Sequence, residues 1–126
     1  MGAPEPFADT TFGQLRTRSS CSKPGTLTIE LEGELDIASA PALERLFRQV
    51  ERDRWPTVVL DLRDLDFIDS SGIRVLLTAN DRISRLGGRV AVRQASRPVR
   101  RTLAAIGADG ILDVDDEPVD ARGPLA

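Results

Sequence analysis

The residues of this chain best placed to do chemistry are Asp69, Ser70 and Ser71, followed at once by Gly72. They stand between a tight apolar run, Thr57-Val-Val-Leu-Asp-Leu62, and an amphipathic stretch from about Ser71 to Leu86. Ser and Asp cap helix N-termini because their oxygens accept from backbone N–H groups that have no partner inside the helix. Two serines are more than a cap needs. A hydroxyl held at a helix start is ordered, exposed and open to modification, and a phosphate on it would face free N–H groups and the positive end of the helix dipole. On spacing alone an ordinary capped turn is the better reading. The rest of the chain shifts the balance.

Composition removes most other chemistries. The chain has 126 residues, enough for one domain with a real core. It contains no histidine, which excludes Ser-His-Asp and Cys-His catalysis within one chain and histidine metal sites. Cys21 is the sole cysteine, so no internal disulfide can form and a reducing compartment fits. A net charge of −3 gives no reason to expect nucleic acid as a partner. Lys23 is the only lysine among the basic residues. No basic region followed by an apolar run opens the chain, and no apolar stretch approaches the roughly 20 residues that span a bilayer. The expectation is a soluble, cytoplasmic protein with no membrane partner.

The elements that must position the serines follow from periodicity. Residues 1–10 read as a flexible leader. Thr11–Ser19 offers an edge strand through Phe12, and Ser20–Gly25 a turn. Thr26–Glu32 alternates, with Leu27, Ile29 and Leu31 on one face, so the two runs predict a hairpin. Gly33-Glu-Leu-Asp36 breaks the alternation. Ser39 then reads as an N-cap, with Pro41 in the first turn and Leu43, Leu46, Phe47 and Val50 on one helix face. Trp55-Pro56 leads into the run Thr57–Leu62, whose apolar density suits a strand covered on both faces.

In the helix after Gly72, Ile73, Leu76, Leu77 and Ile83 share one side, and Arg74, Thr78, Asp81, Arg82 and Arg85 the other. Val75 falls toward the polar side, either as an isolated exposed valine or as an interface residue. Gly87-Gly88 ends this helix and Arg89–Arg93 is a short strand. Ser96 caps a further helix with Pro98 in its first turn, an apolar side of Val99, Leu103 and Ile106, and Gly107 as its stop. Arg93, Arg97, Arg100 and Arg101 form a local basic patch. Ile111–Val114 is a last strand, and residues 115–126 read as a frayed tail.

Alternation of this kind predicts an α/β domain over residues 11–114, with a mixed, mostly parallel sheet of about five strands packed with helices. Function in such sheets gathers at the carboxyl ends of the strands. Gly33–Asp36 and Asp69–Gly72 both fall at that end and are expected to share a surface.

This order, with Gly33-Glu-Leu-Asp36 after one strand, then Val58-Val-Leu-Asp-Leu62, then Phe67-Ile-Asp-Ser-Ser-Gly-Ile73, resembles the STAS domain and, within it, the bacterial anti-sigma factor antagonists. The resemblance covers roughly Phe12 to Val114. It implies partner switching. The unphosphorylated antagonist binds an anti-sigma factor that is itself a serine kinase, freeing the sigma factor. The kinase, holding the ATP, phosphorylates the first serine of the motif, and a serine phosphatase restores it. Carried onto this chain, the acceptor is Ser70, with Ser71 as its neighbour and helix cap and Asp36 beside the acceptor loop. Asp69, Gly72, Arg74 and Val75 complete the expected phospho-loop and partner-binding set, with no cofactor of the chain's own and a monomer as the free state. The family usually ends in an additional helix, for which the proline-broken tail after Val114 is a poor candidate. Arg74 stands where many relatives have glycine or another small residue, and so adds charge to the presumed docking helix.

Three readings compete. A receiver-like phospho-aspartate domain would use Asp61, Asp64, Asp66 and Asp69 around magnesium, but the late-strand lysine it needs is missing, since Lys23 comes too early. A STAS module could serve a stress-signalling or lipid-transport assembly without sigma-factor switching. A plain interaction domain would use Ser70 and Ser71 only as caps.

Overall fold

The alternation of Leu27, Ile29 and Leu31 sets the centre of the fold: all three are fully buried and line the inner face of one long strand. In the computed structural model, which describes residues 4–115, this strand, β3 (Thr26–Leu35), lies third in a six-stranded sheet. The others are β1 (Thr10–Phe12), β2 (Leu15–Lys23), β4 (Thr57–Ile68), β5 (Arg89–Arg93) and β6 (Asp113–Asp115). The helices are α1 (Ala40–Asp53), α2 (Ser70–Arg85) and α3 (Arg97–Ala105), with a short 3₁₀ turn at Ala108–Gly110. Strand order follows chain order; β1 to β3 run antiparallel and β3 to β6 parallel. The mostly parallel sheet is as expected, with one strand more than about five. The additional strand arises because the single edge strand expected over Thr11–Ser19 is broken by a turn at Gly13-Gln14 into β1 and β2, which pair antiparallel.

Two expected boundaries move. The turn foreseen at Ser20–Gly25 shrinks to Pro24-Gly25, because β2 runs on to Lys23 through an irregularity between Ser20 and Lys23. Within the leader expected to be loose, Phe7 is half-buried, and its N–H and C=O both bond the Ser19 hydroxyl, at 2.7 and 3.0 Å. The larger shift is in β4, which continues six residues past Leu62. The register against β3 slips twice, between Asp61 and Asp64 and between Leu65 and Phe67, each slip placing one additional residue on β4. Such bulges rotate the side chains out of strict alternation, so Leu62, Leu65 and Ile68 are all buried at a spacing of three. A two-residue period cannot find a strand built this way.

In-register residues point to the same side of a sheet. Ile29, Leu60, Val92 and Val114 form one apolar row across β3 to β6. Arg18, Glu30, Asp61, Arg93 and Asp115 form a charged row one position on. Arg93 therefore does not join a surface patch with Arg97, Arg100 and Arg101. It is buried, donates from Nη1 to the carbonyls of Val92 (3.0 Å) and Asp113 (3.1 Å), and pairs with the Asp113 carboxylate. The three helical arginines are exposed. Asp61 is buried too and is held by Arg63, whose Nη2 lies 2.7 Å from Oδ2. Asp61, Asp64 and Asp66 are strung along an extended strand that rises about 3.3 Å per residue. The carboxylates of the receiver-like reading are thus separated along the sheet, and that reading is set aside.

Leu43, Phe47 and Val50 of α1 are buried and Leu46 is half-buried, as the helical period predicts. Helix α2 packs on α1 as well as on β4 and β5, so its buried arc is wider than one stripe. Val75 lies in that wider arc and is 7 % exposed, which corrects its place among the polar residues. In α3, Val99 and Leu103 are buried, but Ile106 is 56 % exposed because the helix stops at Ala105.

Candidate functional site

Parallel pairing of Leu35 with Ile68 brings the ends of β3 and β4 together, and with them the two loops that the sequence separates by more than thirty residues. Asp69 ties them. Its backbone N–H donates to the Leu35 carbonyl at 3.2 Å. Its Oδ1 accepts from the N–H groups of Ser71 (2.9 Å) and Gly72 (3.1 Å), and Oδ2 accepts from the N–H of Ile37 (3.1 Å). One carboxylate thus caps α2 and holds the β3–α1 loop against it.

This corrects the assignment of the cap to Ser71. Asp69 is the N-cap, Ser70 the first residue of α2 and Ser71 the second. It also changes what a phosphate would meet, because the N–H groups of Ser71 and Gly72 already serve Asp69. Ser70 is exposed, and its hydroxyl enters none of the described hydrogen bonds. Ser71 is half-exposed.

Asp36 and Ser39 close a second box at the mouth of α1. Asp36 Oδ1 accepts from the N–H groups of Ala38 and Ser39, both at 3.0 Å, while the Ser39 hydroxyl accepts from the Asp36 N–H at 3.0 Å. This is the reciprocal logic of a capping box, and it explains why Ser39, although at the cap position, makes no cap bond into α1. The bonds from Ser39 hold the Asp36 carboxyl below its usual 3.8. Asp36 therefore stands beside the serine loop, linked to it through Ile37.

Gly72 is needed where α2 meets the sheet. A Cβ there would come 2.6 Å from Leu35 Cγ and 2.9 Å from Ile68 Cγ1, so any larger residue would lift the first turn of the helix and Ser70 with it. Beside Ser70 and Ser71 an open groove of about 250 Å³ runs between α1 and α2, lined also by Ile37, Pro41, Arg74 and Val75. Ile37 was missed by sequence reasoning. It is 75 % exposed, the most exposed large apolar side chain among the described residues. Its one sequence signal was an apolar residue in a loop with no period to bury it.

Replacing Asp69 with alanine is expected to cost about 1–2 kcal/mol, the usual loss for a helix cap, and to speed amide exchange at Ile37, Ser71 and Gly72. Asn at this position keeps the Oδ1 acceptor for the helix but turns a donor toward the Ile37 N–H. Asp69→Asn should therefore retain protection at Ser71 and Gly72 and lose it at Ile37. Hydrogen exchange resolved by residue checks this, and wild-type protection of Ile37 in Asp69→Asn would refute the clamp.

Among the described residues no helix is long and apolar enough to cross a membrane. The STAS domain profile matches residues 19–121. The chain is 34 % identical over 102 residues to the anti-sigma F factor antagonist of Paenibacillus polymyxa, an alignment covering 80 % of this chain and 87 % of that protein. The crystal structure of an anti-sigma factor antagonist from Mycobacterium paratuberculosis superposes with a TM-score of 0.75 at 25 % identity, covering 84 % of this chain and 88 % of that one. Phosphorylated SpoIIAA, the Bacillus cell fate determinant, superposes at 0.63 and 20 % identity over 80 % and 92 % of the two chains, and shares the fold. The clamped serine loop, the sheet that carries it and these likenesses agree: the chain belongs to the STAS domain family, among the bacterial anti-sigma factor antagonists.

Proposed function

We propose that this chain, unphosphorylated, binds an anti-sigma factor serine kinase and so frees a sigma factor, and that phosphorylation of Ser70 switches it off. The carrying observation is the presentation of Ser70. Its hydroxyl is exposed in the first turn of α2, without a described hydrogen-bond partner, on a loop that Asp69 fixes from both sides. An acceptor of this kind needs no catalytic group of its own. The Ser70 oxygen attacks the γ-phosphorus of ATP bound by the kinase. The Oγ–P bond forms as the bond to the β,γ-bridging oxygen breaks, ADP leaves, and the hydroxyl proton passes to a base of the kinase. A serine phosphatase reverses the state by hydrolysis. Ile37 and Pro41 supply the apolar part of the docking surface and Arg74 its charge. The free protein acts as a monomer in the cytoplasm. That a structural relative, SpoIIAA, was solved in a phosphorylated form supports the reading.

The test is intact-mass and site mapping after incubation with a candidate anti-sigma kinase and ATP. One phosphate is expected on wild type and on Ser71→Ala and none on Ser70→Ala. A phosphate retained by Ser70→Ala would move the acceptor elsewhere and overturn the assignment.

A further inference from the structure

Asp69 already occupies N–H groups that a helix start would otherwise offer to a phosphate on Ser70. The N–H groups of Ser71 and Gly72 are already engaged, at 2.9 and 3.1 Å, and that of Ile73 donates to the Asp69 carbonyl at 3.0 Å. The Asp69 carboxylate caps the same turn, and the Asp36 carboxylate closes the loop that Asp69 holds against it. Glu44 projects from α1 into the same groove. All three are acidic, so a nearby cation favours a dianion there.

Arg74 is the one arginine lining this groove among the described residues, and the other two arginines of the adjoining groove are engaged. Arg48 Nη2 lies 2.8 Å from Glu44, and Arg82 Nε lies 2.7 Å from Glu51. Arg74 is exposed and enters no ion pair among the described residues. It lies four residues after Ser70 on α2 and lines the same groove as both serines. Residues four apart share a helix face, with Cβ atoms about 5–6 Å apart, and an anion N-terminal to a cation is the favourable order along the dipole.

We propose that Arg74 is the intramolecular counter-ion of phospho-Ser70, and that phosphorylation thereby withdraws this guanidinium from the docking surface. The proposal deepens the switch described above, because it rests on Ser70 as the modified residue. One event then removes a hydroxyl from the interface, adds negative charge to it and takes away its free cation. A planar guanidinium can meet two phosphate oxygens at once. The pair also explains how the modified form avoids an unneutralised charge beside Asp36, Asp69 and Glu44.

The experiment places phosphoserine at position 70 of the full chain by genetic code expansion, so that no kinase is needed. The second ionisation of the phosphate is followed by ³¹P NMR titration in wild type, Arg74→Gln and Arg48→Gln. An adjacent cation favours the dianion. The phosphate should therefore titrate roughly half a unit higher in Arg74→Gln than in wild type, the scale of a partly exposed ion pair. Arg48→Gln removes the same charge from the adjoining groove and should shift the titration far less. An unchanged titration in Arg74→Gln overturns the pairing, and so does an equal shift in Arg48→Gln, which would mean a diffuse field. Failure of the acceptor assignment looks different. The ³¹P difference would persist, while kinase treatment of the unmodified protein would place phosphate elsewhere than Ser70.

Discussion

Phosphorylated on Ser70, the chain is expected to bind its anti-sigma factor at least a hundredfold more weakly, with no change of fold. The modification adds about −1.5 to −2 charges at neutral pH. In the free protein this charge is exposed and has Arg74 one turn away. In the complex the same group would be desolvated against a facing surface while Asp69 keeps the helix N–H groups. A loss of roughly 3 kcal/mol corresponds to more than a hundredfold in affinity. Titration calorimetry of the phosphoserine protein against the anti-sigma factor measures the loss. Amide spectra of the free forms should differ only around residues 36–41 and 69–75. Equal affinity of the two forms, or a rearranged α2 in the phosphorylated one, would defeat a switch that works by charge and contact alone.

Gly33→Ala is expected to lose about 3 kcal/mol or more of folding stability, a fall in midpoint on the order of 10 °C. Two costs add. Gly33 sits at φ +99°, where a residue with a Cβ is strained by about 1–3 kcal/mol. Its Cβ would also come 2.0 Å from the Gln14 carbonyl oxygen, a main-chain atom that cannot rotate aside. That oxygen is meanwhile held by the N–H of Glu34 at 2.9 Å. Opening this contact shifts β3 just where it pairs across the second bulge of β4, and Leu35 and Asp36 follow directly. The loss of stability should therefore be accompanied by weaker partner binding in the folded fraction. Urea unfolding checks the first part, and a cost under 1 kcal/mol would show that the β1–β2 turn yields.

Elements with a clean period were legible in the sequence. Leu27, Ile29 and Leu31 located β3, and Leu43, Phe47 and Val50 located α1, because in each element the large apolar side chains fall on one buried face at the element's own period. The serine loop was found from residue type, and its partner loop from topology. What escaped depended on contacts between distant segments. The second half of β4 was hidden by bulges that only its pairing with β3 defines. Val75 looked solvent-facing because the sequence does not say that α1 covers the flank of α2. Arg93 read as surface charge because its partner Asp113 arrives twenty residues later. The cap fell to Asp69 rather than Ser71 because a carboxylate can serve the helix with one oxygen and the neighbouring loop with the other, and a hydroxyl cannot reach both.

The agreement between strand order and chain order has a consequence for how the molecule is made. Each strand is laid beside the one synthesised just before it, from β1 to β6. No strand has to be threaded between two already in place. A nascent chain leaving the ribosome can extend its sheet by one strand at a time, closing at each parallel step a loop that holds a single helix. Among the described residues the two outermost strands have only three residues each. Short borders of this kind offer a neighbouring nascent chain little backbone to pair with, so the order of synthesis and the finished edges both work against aggregation on the polysome.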